Sequence, residues 1–254
     1  MRSIKNFFSL FIFMIFLLGC TKIPNNYVIN QIGSSHLEEI REGEEMAKKI
    51  LNHAKLSQNE KAIKMVKKVG KRLTDVVDRE YNTTFYKWEF FVIDNKWRAN
   101  AFCLSGGKIF IFSGLFPYIN NEDELALVLA HEMVHALAHH QKRREGGKSL
   151  SDMGKYLTSA IVLINPFSLP FVKKMDIEHS DGLVDEFLFL PYIQSHEYEA
   201  DALGIALMKK AGYDPYAGLT FWSKFPKESR IQPEYLSTHP STKHRLEKIQ
   251  MLIK

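Results

Sequence analysis

Hydrophobic positions along the chain switch between helical and strand periods. Ala62, Met65, Val66, Val69, Leu73 and Val76 recur at three- and four-residue spacing with lysines between them. Residues 58–79 therefore read as an amphipathic surface helix whose lysines form a solvated face. Trp88–Ile93 and Lys108–Phe112 are runs of aromatic and β-branched residues, separated by a segment ending in Gly106-Gly107, and read as strands of one small sheet. Asn121 can cap a helix with Glu124 as its capping-box partner; acidic residues crowd the first turn and Lys142, Arg143 and Arg144 follow the end, which predicts an amphipathic helix over about 122–141. Tyr156–Val172 is apolar but interrupted by Pro166 and Pro170, so it reads as a covering segment near the site rather than a straight spanning helix. A helix from about 196 to 210 ends at Gly212, with Asp214-Pro215 preventing its continuation, and a last helix begins near Ser241. The expected class is α+β, mainly helical with a small sheet.

The first twenty residues follow another pattern. Arg2 and Lys5 precede the apolar run Phe7–Leu18, broken only by Ser9 and shorter than the roughly 20 residues a spanning helix needs. Residues 1–19 read as an export signal. Leu17-Leu18-Gly19-Cys20 resembles the bacterial lipobox, in which the signal is cut before the cysteine and that cysteine receives lipid; the rivals are an ordinary cleaved signal and an uncleaved anchor. Residues 20–36 are polar and suit a lipidated tether, and 37–254 read as one domain. The 254 residues are 45% hydrophobic and 25% charged, enough to bury a core. Without residues 1–19, Lys+Arg falls from 34 to 32 against 29 acids, a net charge of +3, too weak to argue for nucleic acid. If Cys20 is lipidated, Cys103 is the only thiol left, and no intramolecular disulfide can form; Cys103 is most simply a small buried hydrophobe.

Within the 122–141 helix stands His131-Glu132-Met133-Val134-His135, an H-E-x-x-H pattern. Four residues advance a helix by just over one turn, so both imidazoles project from one face and can share one Zn²⁺. Glu132 lies beside the metal rather than on it, where it can take a proton from a zinc-activated water as general base. Catalytic zinc usually takes three protein ligands. The metzincin continuation is excluded, because Ala138 and Gln141 stand where its glycine and third histidine belong. Downstream, Glu197 and Asp201 lie one turn apart on one helix face and could serve as a ligand and as an acceptor for a ligand histidine, whereas Glu199 points nearly the other way.

Five motifs, in order, resemble the HtpX-like and CAAX-prenyl-protease-like zinc peptidases, most closely their small periplasmic lipoprotein members. They are Asn100-Ala101-Phe102 followed by Gly106-Gly107 through Leu115; the H-E-x-x-H with His140 beyond it; Glu197-Tyr198-Glu199-Ala200-Asp201; Gly212-Tyr213-Asp214-Pro215; and Ser237-Thr238-His239-Pro240 with Arg245. The resemblance covers roughly residues 40–250. It implies a zincin-type peptidase domain with one zinc ion on His131, His135 and Glu197, and Asp201 behind a ligand. It further implies that the strand at 108–112 is an edge bordering the cleft, extended by the substrate backbone, with Asn100, Gly107, Ile109 and Arg245 on the substrate side. Arg245 could instead orient the loop of His239. His239 is carried over as a catalytic residue near the metal that either stabilises the oxyanion or occupies the open zinc position. Some members add a C-terminal helical repeat domain, which is not expected here. Ser105 departs from the family, which usually has proline before the paired glycines. His139, His196 and Tyr198 are expected to be structural.

The function expected is that of a zinc metalloendopeptidase acting on unfolded or misassembled envelope proteins. It would be lipid-anchored through Cys20, facing the periplasm, and on the outer membrane if the source is Gram-negative. The rival from another class is an envelope assembly chaperone with little turnover, against which the full set of His131, Glu132, His135, Glu197 and Asp201 argues. An integral membrane peptidase is disfavoured by the lack of a second apolar run long enough to span.

Overall fold

The computed structural model describes residues 34–81, 83, 85–141, 194–224, 238–239 and 243–253. The expected signal, most of the tether and the expected covering segment 156–172 lie outside the described residues. The elements are α1 (Ser34–His53), α2 (Glu60–Glu80), β1 (Glu89–Ile93), β2 (Ala101–Leu104), β3 (Lys108–Phe112), a 3₁₀ turn (Ser113–Tyr118), α3 (Glu122–Leu137), α4 (Gln194–Lys210), α5 (Ala217–Ser223) and α6 (Lys243–Ile253). None of the described helices is long and apolar enough to cross a membrane.

The sheet is sandwiched between helices, and strand alternation divides its side chains between two cores. Ile109 and Ile111 of β3, with Ala101 and Cys103 of β2, join the main core against α2 and α3. Phe102, Leu104, Phe110 and Phe112 point the other way, against Ala47 and Ile50 of α1. Cys103 is buried as a small hydrophobe, as its sequence setting suggested.

Strand order is β1-β3-β2. Contrary to the expectation from the resemblance, Lys108–Phe112 is central. It pairs in parallel with Glu89–Ile93 and antiparallel with Ala101–Leu104, so its ladder groups are already used on both sides. The strand missed in the sequence, β2, is the edge strand on the side of the helix that carries the H-E-x-x-H pattern. Its four residues are too few for a period to show.

The helix carrying the H-E-x-x-H pattern is not amphipathic. Every residue from Glu124 to Leu137 is buried, because α2, α4, α5 and strands β2 and β3 surround it, and a helix apolar on all sides belongs inside a core. The Asn121 side chain caps it by accepting from Glu124 N at 2.9 Å, while Glu124 Oε2 accepts from Asn120 N at 2.7 Å, one residue earlier than a capping box requires. It ends at Leu137, four residues short of expectation, because His139 adopts a φ of 52°. α4 ends in a Schellman pattern at Gly212 (φ 73°), where Tyr213 N donates to Met208 O and Gly212 N to Lys209 O.

The turn between β2 and β3 is pressed on by α1. A Cβ at Gly43 would lie 2.1 Å from the Ser105 carbonyl oxygen, a backbone atom that cannot rotate away. For Gly43→Ala the helix-propensity gain of about 1 kcal/mol is outweighed by an overpacking cost of about 1–3 kcal/mol. Thermal unfolding should show a Tm lowered by several degrees, and an unchanged or raised Tm would mean that α1 does not seat on this turn as described.

Candidate metal centre

His131 and His135 lie one turn apart on α3, with their Nε2 atoms 3.0 Å from each other. Glu197, from the first turn of α4, approaches them. Its Oε2 is 3.5 Å from His131 Nε2, and its Oε1 is 3.3 Å from His135 Nε2. His239 Nδ1 is 3.2 Å from His131 Nε2 and 3.2 Å from Glu197 Oε1. One ligand atom from each of these four buried residues lies within 4.8 Å of the others. Glu132 is fully buried beside them, with Oε1 3.3 Å from His239 Nε2.

The donor set fits a divalent cation. Each α3 imidazole has its Nδ1 engaged away from the cluster, His131 with Asp201 Oδ1 at 3.1 Å and His135 with His140 Nδ1 at 2.9 Å. Both Nε2 atoms are thereby aimed at one point, where a shared proton or a cation must lie between them. Close helix packing sets this geometry: a Cβ on Gly204 of α4 would come within 3.2 Å of the His131 backbone nitrogen.

Charge is distributed accordingly. Burial alone would lower the His131 imidazole, but Glu197 and Asp201 outweigh it and hold it up at about 9. His135 is pushed well below the usual histidine range by burial, with His131 and His140 adding to the effect. Burial would raise Glu197, yet His239, His131 and Arg245 hold it well below the ordinary carboxylate range. Asp201 is likewise lowered against its burial, chiefly by Arg245 and then His131. Arg245 Nε and Nη2 reach the two Asp201 oxygens at 2.8 Å each, and its Nη1 lies 2.6 Å from Glu197 Oε2 and 3.1 Å from the His239 carbonyl.

Residues 60–253 match the sequence profile of peptidase family M48. The chain belongs to that family. It is 36% identical over 167 residues to the mitochondrial metalloendopeptidase OMA1 of Schizosaccharomyces pombe, covering 65% of this chain and 46% of the relative. It is 27% identical over 217 residues to the Beta-barrel assembly-enhancing protease of Escherichia coli, covering 82% of this chain and 42% of the relative. The chain thus spans about half the length of these curated relatives, or less. M48 peptidases are metal-dependent, and the His-His-Glu-His cluster suits such a family.

Within this M48 domain three of the four residues expected on the substrate side are committed elsewhere, and the fourth, Asn100, stands at the edge. Ile109 is buried in the main core on the central strand. Gly107 (φ 89°) serves the β2–β3 turn, its N donating to Leu104 O and its carbonyl accepting from Glu89 N. Arg245 lies behind the cluster with donors on Asp201, Glu197 and the His239 main chain, the loop-orienting alternative rather than a substrate contact. Asn100 does stand at the start of the edge strand, its Oδ1 accepting from Ala101 N at 2.9 Å and Thr238 Oγ1 at 3.3 Å, while its buried Nδ2 has no hydrogen-bond partner.

Several participants escaped the sequence reading. Gln141 Nε2 donates to the Cys103 carbonyl on the edge strand at 2.9 Å, and Ser105 Oγ lies 2.7 Å from Glu39 Oε1 and 3.1 Å from Gln141 Oε1. Glu39 also meets His139 at 2.8 Å, and His36 stacks on that ring at 4.1 Å, so α1 grips the end of α3. Ser105, where the family usually has proline, supplies a hydroxyl to this network. No local signal marked this network, because Glu39, Ser105 and Gln141 stand far apart along the chain.

Proposed function

We propose that this chain is a zinc-dependent metalloendopeptidase in which His131, His135 and Glu197 hold the ion and Glu132 is the general base. The observation that carries this reading is the convergence of two Nε2 atoms and a carboxylate on one buried point with Glu132 beside it. Zinc suits a set of imidazole and carboxylate donors, and when bound it supplies Lewis acidity toward the scissile carbonyl and the attacking water. Glu132 takes the proton from that water at a carboxylate oxygen and delivers it to the departing amide nitrogen. Asp201 accepts from His131 Nδ1–H and so fixes Nε2 as the nitrogen that faces the ion.

The substrate is an extended polypeptide pairing with β2, the edge strand next to the cluster. Supporting this are the two groups that now occupy the edge, Asn100 Oδ1 on Ala101 N and Gln141 Nε2 on Cys103 O, which a peptide backbone would replace. Unfolded chains meet this requirement, and misassembled envelope proteins are the class expected. Cys20 at the end of the export signal is the proposed lipid anchor to the periplasmic face of a membrane, the outer one in a Gram-negative cell. His239 is a latch. Supporting this, its imidazole lies within 3.3 Å of both Glu132 and Glu197.

Glu132→Gln should keep stoichiometric zinc and the fold while losing nearly all cleavage of an unfolded test protein, whereas His135→Ala should lose the metal. Turnover retained by Glu132→Gln would refute the base. His239→Ala should raise basal proteolysis several-fold. A fall in kcat of about 10²- to 10³-fold at unchanged zinc content would instead make His239 an oxyanion donor. Cys20→Ser should abolish lipid labelling and release the domain from membranes; unchanged membrane association after signal removal would point to a different anchor.

A further inference from the structure

We propose that His140 and Glu199 are positioning residues that set the tautomer of His135, so that its Nε2 lone pair faces the metal. The proposal rests on the metal-site reading above. His140 lies beyond the end of α3: that helix stops at Leu137, and the left-handed His139 (φ 52°) turns the chain so that the next residue folds back against His135. There, His140 Nδ1 is 2.9 Å from His135 Nδ1, and His140 Nε2 is 3.2 Å from Glu199 Oε2 on α4. His196, one turn before Glu199 along α4, stacks on the His140 ring at 4.2 Å with an interplanar angle of 1°, which holds the ring's plane. The His140 side chain is fully buried and that of Glu199 nearly so.

Hydrogen-bond polarity orders this chain from one end. An ionised carboxylate can only accept, so the proton between Glu199 and His140 belongs to His140 Nε2. A neutral imidazole has one donor and one acceptor, which leaves His140 Nδ1 as a lone pair. The proton between the two rings must then sit on His135 Nδ1, and His135 Nε2 is left as a lone pair pointing toward His131 Nε2 and Glu197 Oε1, at 3.0 and 3.3 Å. His131 has its Nδ1–H fixed directly, by Asp201. Both α3 imidazoles are thus oriented by carboxylates of α4, one in contact and one through an intervening histidine. Glu199, turned away from the cluster in a simple helical projection, acts on it through His140. Removing the relay leaves His135 able to carry its proton on Nε2, where that proton opposes the cation.

The test is side-chain ¹⁵N NMR of the full chain, recorded with and without zinc, combined with zinc affinity by chelator competition. In the unmodified chain the His135 proton should reside on Nδ1 and show nitrogen–nitrogen coupling across the hydrogen bond to His140 Nδ1. Glu199→Leu and His140→Leu should shift His135 toward the Nε2–H form and weaken zinc binding by about 10- to 100-fold. Glu199→Gln keeps an oxygen acceptor and should stay within a few-fold of the unmodified chain, a rescue that a merely structural role does not predict. If His140→Leu fails to fold, Glu199→Leu carries the same comparison. A His135 proton found on Nε2 in the unmodified chain, a tautomer indifferent to Glu199→Leu, or equal losses in Glu199→Gln and Glu199→Leu would each overturn the relay. Failure of the metal-site reading looks different: zinc affinity would be indifferent to His135→Ala, while the metal-free NMR result would stand.

Discussion

A buried guanidinium, Arg245, lies against two buried carboxylates, Asp201 and Glu197, and the arrangement around them follows from keeping those charges paired. An ion pair removed from water yields little net stability, but deleting one partner typically costs about 3–5 kcal/mol because the other charge is left stranded. Arg245 uses its fork on Asp201 and its remaining donors on Glu197 and the His239 carbonyl, and its flat face lies over Trp222 at 4.5 Å. One side chain on α6 thereby ties together α4, α5 and the residue proposed as a latch.

From that anchor the donor cluster inherits its order. Asp201, held by Arg245, accepts from His131, and α3 can carry such polar residues through an apolar core because their partners are one another. The same carboxylates favour positive charge in the cluster: Glu197 and Asp201 outweigh the burial of the His131 imidazole and hold it up at about 9. A cation entering the cluster takes the place of a proton there and is balanced by the same carboxylates.

The sheet relates the cluster to the protein's exterior chemistry. Because β3 is paired on both sides, only the β2 edge is left toward α3, and its main chain is covered by Asn100 and Gln141 instead of another strand. An edge closed by side chains rather than by a strand resists unwanted pairing, and the extended peptide proposed as substrate would take their place. That property agrees with family M48 membership and with curated relatives named as metalloendopeptidases, of whose length this chain spans about half or less.

Local chemistry was legible without the fold. The His131–Glu132–His135 spacing, the Asn121 cap, the Gly212 terminus and the period of α2 each depend on contacts within a few residues, so the sequence alone determined them. The pairing of Glu197 and Asp201 also followed from helical spacing, once a second helix was granted. What needed the tertiary structure were relations between separated segments. A short β2 carried no period and went unseen, while the resemblance implied an edge at 108–112 with Ile109 and Gly107 on the substrate side; the fold commits both elsewhere. For Arg245 the sequence left substrate contact and loop orientation both open, because a lone arginine carries no sign of the two carboxylates that meet it from another helix. The turn at His139 ended α3 early through contacts with His36 and Glu39 on α1, so periodicity could not foretell that His140 would return to His135. Spacing along one helix is set by backbone hydrogen bonds every residue makes, whereas the partner of a buried charge is set by which distant segments the core brings together.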